Sequence, residues 1–320
     1  MIETEPQAQT QLLLAMQTPE FDPHADASLP SAPGSGFGRC ACALHSRRLF
    51  TGLLLAAGAG AALPALAREG VEVGGNSQFT KLVPAEQVEA AATQQYRQMM
   101  EQAAAQNALA PAKHPQLIRL REIARRIIPQ ALPWNPRARQ WRWEVNLIGS
   151  KQLNAFCMPG GKIAFYYGIL KQLKLNDDEV ATIMGHEMAH ALREHARERM
   201  GKSAATRLGA NLISGLLGLG NVGDAVLGMG SQLVSLTFSR QDESEADLVG
   251  MELAARAGYD PAAGVSLWQK MATAAKGAPP QWLSTHPAGP TRIRDIEANL
   301  PKVQPLFERA AKPPRRFEVA

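Results

Sequence analysis

The stretch that decides the fold is residues 181–199, Ala-Thr-Ile-Met-Gly-His186-Glu187-Met-Ala-His190-Ala-Leu-Arg-Glu194-His195-Ala-Arg-Glu-Arg. The apolar residues Val180, Ile183, Met184, Met188, Ala191 and Leu192 recur at three and four, so the spacing predicts one helix through the whole stretch. Residues four apart lie on one helix face, about 5.4 Å apart along the axis. His186 and His190 are thereby placed to offer two imidazole nitrogens to one tetrahedral Zn²⁺ at roughly 2.0–2.1 Å each. Glu187, one step round the helix, points at the open coordination position, where a general base for metal-assisted hydrolysis belongs. The plainer reading is a charged amphipathic helix with two solvated histidines. Gly185 and the apolar flanks argue instead for burial, where unpaired imidazoles would be costly.

A catalytic zinc takes three protein ligands and keeps one position open. Residues 68–320 hold five histidines: His114, His186, His190, His195 and His286. The position ten residues after His186 is Ala196, so a His-x-x-Gly-x-x-His extension is absent. Glu194 and His195, about a turn too far along the same helix to reach that metal, are expected to cap, to pair with arginines or to orient the site. Carboxylates cluster further on, in Ser239-Arg240-Gln-Asp242-Glu243-Ser-Glu245-Ala246-Asp247-Leu-Val-Gly250. On a second helix Glu243 and Asp247 share a face. One could ligate zinc while the other holds a ligand imidazole through its second nitrogen. Spacing alone does not choose among Asp242, Glu243, Glu245 and Asp247.

The rest of the chain supplies the setting. Residues 84–109 follow Pro84 with few breakers and predict a helix; Pro115 opens a second, which stops before Pro129. Trp143 to Ile148 alternates as a strand does, and Pro159-Gly160-Gly161 is a turn between two extended segments. The segment from Lys162 to Tyr167 is either an ordinary core strand or a sheet edge beside the zinc. As an edge, Ile163, Ala164 and Phe165 would pair with an extended peptide substrate. Asn176 to Glu179 caps the histidine helix and sets negative charge at its positive end. Glycine recurs through residues 201–236, where two short apolar helices around a turn would form a lid, or plain core helices.

Residues 1–45 are polar and aperiodic, the composition of a disordered leader. Ser46-Arg47-Arg48-Leu49-Phe50, the apolar run to Leu63 and Ala65-Leu66-Ala67 have the layout of a twin-arginine export signal over 46–67. The expected location is therefore the periplasm, or the membrane surface if the signal stays uncleaved. Of 34 basic and 29 acidic residues, 31 and 24 fall in 68–320, a net +7 that suits anionic membrane surfaces as well as plain solubility. No basic run interleaved with aromatics suggests nucleic acid, and no Gly-x-x-x-x-Gly-Lys loop suggests a nucleotide. Cys157 is the lone cysteine after the signal, expected as a small buried residue.

Four ordered blocks together resemble a known family over roughly residues 115–300. They are Asn154-Ala-Phe with Pro159-Gly-Gly; Gly185-His-Glu-Met-Ala-His190; Ser239-Arg240 with Glu243-x-x-Ala246-Asp247; and Thr285-His286-Pro287 with Arg292-Ile293. The chain resembles the zinc metallopeptidases that include the CAAX prenyl proteases, HtpX, BepA and LoiP, peptidase family M forty-eight. It is nearest to the short exported BepA and LoiP type, lacking the multispanning helices of the first two and any repeat after Leu300. The resemblance implies an α+β, mainly α-helical gluzincin-type domain with a small β-sheet beside the His-Glu-x-x-His helix. It divides the exported part into a helical segment (68–112), the peptidase domain (113–300) and a tail (301–320). It makes Glu243 the third ligand of one Zn²⁺ and Asp247 the residue behind a ligand. It places His286 near the zinc, as oxyanion stabiliser or as a brake in the open site, and makes Arg292 an anchor or substrate contact. The function it implies is ATP-independent proteolysis of misfolded or unassembled envelope proteins. The rival is a zinc-stabilised chaperone that binds clients and seldom cuts them.

Overall fold

The computed structural model describes residues 68–213, Leu233, 236–275, 281–286 and 290–320. The leader, the expected export signal and the larger part of the glycine-rich stretch lie outside the described residues. Helix α1 (Ala85–Ala105) starts after Pro84, and α2 (Pro115–Ile127) takes Pro115 at its first position, where a missing N–H is no loss. Strands β1 (Glu144–Ile148), β2 (Ala155–Met158) and β3 (Lys162–Tyr166) follow. Gly160 and Gly161 turn β2 into β3 at φ of 84° and 77°, a region open to glycine. Then come α3 (Tyr167–Gln172), α4 (Asp177–Leu192), α5 (His195–Ile213), α6 (Arg240–Arg256), α7 (Ala263–Ala274), α8 (Gln281–Thr285) and α9 (Pro290–Arg309). The architecture is α+β and mainly helical, with one small sheet among the described residues. There, no helix is long and apolar enough to cross a membrane.

Helix α4 is the axis of the core. Val180, Ile183, Met184, Met188 and Leu192 are fully buried. Asn176 and Glu179 close a reciprocal capping box at its start, an arrangement in which the cap alone is worth about 1 kcal/mol. Below it the buried Arg119 pairs with Asp177 at 2.6 Å and donates to the Leu175 carbonyl at 2.8 Å. Helices α4 and α6 cross at two glycines. A Cβ on Gly185 would stand 2.5 Å from the Gly250 carbonyl oxygen, and one on Gly250 would stand 2.5 Å from His186 N. Only this pair lets the backbones approach closely enough for α6 to present short acidic side chains to α4.

Two expectations need correction. The stretch 181–199 is not one helix. Helix α4 ends at Leu192, Glu194 adopts a left-handed φ of 60°, and α5 begins at His195. Such a conformation costs a non-glycine residue roughly 1–2 kcal/mol. Arg197 and Asn76 hold the Glu194 carboxylate at 2.7 and 3.3 Å and offset that cost.

The second correction concerns the sheet. Its order is β1-β3-β2, so Lys162–Tyr166 is the central strand. It runs parallel to β1 and antiparallel to β2, with Ile163 opposite Val145 on one side and Cys157 on the other. Ile163, Ala164 and Phe165 are wholly buried and both their ladders are taken, so they cannot receive a peptide strand. Among the described residues the far edge of β2 has no strand partner; the Ala155 N–H there donates to Asn154 Oδ1 at 3.0 Å. Tyr166 N–H donates to the Asn154 carbonyl, and the antiparallel alternation then turns the backbone groups of Ala155 and Cys157 away from β3.

Candidate metal centre

Helix α4 carries His186 and His190 on one face with Glu187 one step round, each about 3% exposed. Helix α6 lays Glu243 across them, and the end of α8 brings His286. His186 Nε2 and His190 Nε2 face each other at 3.1 Å. Glu243 Oε2 lies 3.6 Å from the first and Oε1 3.5 Å from the second. His286 Nδ1 lies 3.2 Å from His186 Nε2 and 3.0 Å from Glu243 Oε1. These four donors fall within 4.8 Å of one another. Donors bound to one metal at 2.0–2.1 Å in a tetrahedron stand about 3.3–3.4 Å apart. The observed contacts of 3.0–3.6 Å are of that size, with each Glu243 oxygen facing one of the two α4 imidazoles. Two imidazoles, a carboxylate and a third imidazole form a nitrogen–oxygen set suited to zinc.

Each ligand candidate is held from behind. His186 Nδ1 meets Asp247 Oδ1 at 3.0 Å. Arg292 donates to both Asp247 oxygens at 2.6 Å and to Glu243 Oε2 at 2.7 Å, while its guanidinium lies 3.8 Å over the Trp268 ring. His190 stacks on Phe238 with centroids 4.0 Å apart, and its Nδ1 meets His195 Nδ1 at 2.9 Å. Glu187 Oε1 accepts from Trp282 Nε1 at 2.6 Å and lies 3.5 Å from His286 Nε2.

The electrostatics suit ligation. Burial first, and then His186, His195 and His286, push His190 well below the usual imidazole range, so it is neutral at pH 7. Burial opposes ionisation of Asp247, yet the Arg292 charge and the hydrogen bonds of His186 and Arg292 bring it down to about 2. Glu243 is lowered too, burial being outweighed by His286, His186 and Arg292. Burial works against a charged His286, but Glu187 and Glu243 hold it above its ordinary value.

All the candidates from the helical motifs therefore meet at one point, whereas Ile163, Ala164 and Phe165 lie behind β2. Arg292 is 4% exposed, and its polar contacts include Asp247, Glu243 and His186. Of the open acidic set, Asp242 closes the cap of α6 with Ser239, and Glu245 turns to Arg193. A cleft in front of Glu187 and His190 is walled by β2 from Ala155 to Met158 and by Leu236 and Phe238. Trp282 and Phe238 were missed in the sequence. Trp282 stands one helical turn before His286 and Phe238 just ahead of the Ser239 cap, the only signals that single them out.

Comparison with known proteins adds the following. Residues 117–300 match the model of Peptidase family M48. The chain is 34% identical over 197 residues to the mitochondrial metalloendopeptidase OMA1 of Schizosaccharomyces pombe, covering 61% of this chain and 56% of that protein. It is 38% identical over 159 residues to the Arabidopsis thaliana OMA1, covering 49% of this chain and 32% of the other. It is 28% identical over 176 residues to the beta-barrel assembly-enhancing protease of Escherichia coli, covering 52% and 36%. The chain thus spans about a third to a little over half the length of these relatives.

Proposed function

The chain belongs to peptidase family M48, and from that footing we propose that it is a zinc-dependent, ATP-independent metalloendopeptidase. The observation that carries this reading is the cluster of His186, His190 and Glu243 donors with the Glu187 carboxylate beside it. In this reading His186, His190 and Glu243 hold one Zn²⁺, and Asp247 and Arg292 fix His186 and Glu243 from behind. A zinc ion held there would polarise a scissile carbonyl and bring the pKa of a bound water toward about 7.

The chain's own groups then divide the remaining work. Glu187 takes the proton of the attacking water and returns it to the leaving amine. Trp282 Nε1–H fixes one Glu187 oxygen, which aims the carboxylate and disperses its charge. The open edge of β2 receives substrate backbone as an added strand, the mode that reads main chain rather than sequence. A substrate must be extended to fit, and no nucleotide motif provides for unfolding one. Misfolded or unassembled proteins meet that condition.

Envelope proteins are the proposed clients. The reading of residues 46–67 as an export signal supports a periplasmic site of action, and the E. coli relative is named for β-barrel assembly. The mitochondrial names of the other relatives support the same kind of protease in a different compartment. Fractionation of cells producing the full chain tests the location: recovery in the cytosol would overturn it.

A second reading draws on His286 Nδ1, which takes the fourth corner of the donor set. In that arrangement the chain is latent, binding clients until His286 withdraws. Metal analysis and cleavage of unfolded casein by the purified full chain test the first reading. Activity removed by a chelator and restored by zinc is expected. Zinc without cleavage, with cleavage gained in His286→Ala, would favour the latent form.

A further inference from the structure

We infer that His195 is a positioning residue for this centre, fixing His190 by accepting a hydrogen bond from His190 Nδ1–H. The inference rests on His190 being a zinc ligand, as proposed above. His190 turns Nε2 to the cluster and Nδ1 away from it, to His195 Nδ1 at 2.9 Å. One proton fits between two ring nitrogens at that distance. If His190 commits its Nε2 lone pair to the metal, the proton is on its Nδ1. His195 Nδ1 is then the acceptor, and the proton of His195 is on Nε2, which faces Glu245 Oε1 at 3.8 Å.

The fold goes to some length to make this contact. On a continuous helix, residues five apart point about 140° away from each other. The left-handed Glu194 breaks the helix and swings His195 back beneath His190. His195 is 3% exposed and its ring meets His190 nearly edge-on, at 76°. Arg193, the C-cap of α4, donates to Glu245 through Nε and to the Gly74 carbonyl through Nη2, so the acidic end of the chain of contacts is itself held. Phe238 closes the other face of His190. His186 thus leans on a carboxylate and His190 on an imidazole. The second support orients its ligand without adding another negative charge to the centre.

The test is the zinc dissociation constant of the full chain, by chelator competition. Removing an outer partner of a ligand typically weakens metal binding about 10–100-fold, and that loss is expected for His195→Leu. Asn presents an acceptor oxygen near the place of Nδ1, so His195→Asn is expected to stay within about threefold of the parent. A merely structural residue would lower the melting temperature of the metal-free protein in both variants and leave the zinc constants alone. A folded His195→Leu that binds zinc like the parent overturns the inference. Should that variant not fold, ring-nitrogen NMR of the zinc-loaded parent decides. The proton is expected on Nδ1 of His190 and on Nε2 of His195, and an Nδ1 proton on His195 overturns the inference. The metal assignment fails separately, if the parent binds no zinc or if His190→Ala binds it as well as the parent.

Discussion

The two sides of the histidine cluster are built differently. On one side two long helices, α4 and α6, cross at Gly185 and Gly250, and the buried Glu243 and the half-buried Asp247 of α6 meet the buried Arg292 of α9 in a charged network. On the other side Glu187 faces a cleft formed by a four-residue edge strand, by Phe238 and by the five-residue helix α8, which carries Trp282 and leads into His286. The first side is rigid, because each charged group there is held by another and no backbone can shift without a clash. The second is assembled from short segments that meet Glu187 at single contacts. Holding a metal and moving a proton to and from a substrate make opposite demands, and the molecule gives them to neighbouring residues of one helix that are supported from different sides.

Substitutions on the two sides should therefore fail in different ways. Glu243→Ala should weaken zinc binding by more than about 100-fold, beyond the loss of an outer partner, and abolish cleavage with it; chelator competition reads the first and a casein digest the second. Arg292→Met should cost about 10–100-fold in zinc affinity while the turnover per bound zinc is kept. A fall in turnover with zinc fully bound would move Arg292 to the acting side. Gly250→Val forces α6 off His186. Overpacking of this kind costs about 1–3 kcal/mol, which for a chain of this size is a fall of a few to about ten degrees in melting temperature. Trp282→Phe deletes one hydrogen bond to Glu187, worth about 0.5–1.5 kcal/mol, so turnover should drop by up to about tenfold with zinc affinity unchanged.

Acid sharpens the same contrast in the metal-free protein. Folding lowers the Asp247 pKa from 3.8 to about 2. Its stabilisation, on the order of 2 kcal/mol, is complete above about pH 4 and is lost as pH falls through 2. Melting curves from pH 5 down to 2 should show that loss, and Asp247→Asn should flatten it.

The sequence was legible where structure is local. Apolar periodicity placed α4, the Asn176 cap marked where α4 starts, and the Glu243–Asp247 spacing put two carboxylates on one face. What it hid depends on contacts distant in the chain. Nothing near Lys162 says that β1 crosses over to pair with β3, which makes β3 central and leaves β2 as the edge. Nothing in Arg193-Glu194-His195 signals a break, since glutamate is an ordinary helix former and its left-handed turn is held by Asn76 and Arg197 from elsewhere. Gly250 reads as a weak spot in α6 until Gly185 is found against it. Likewise Trp282 is just a buried aromatic until α8 is docked on Glu187.

The central claim is that this cluster is a hydrolytic zinc site with Glu187 as its base. The most direct measurement is cleavage of unfolded casein by the purified, zinc-loaded full chain beside Glu187→Gln, with the zinc content of each determined. The account predicts equal zinc in both and a fall of about 10²–10⁴-fold in the variant's turnover. Equal cleavage by the two would contradict it.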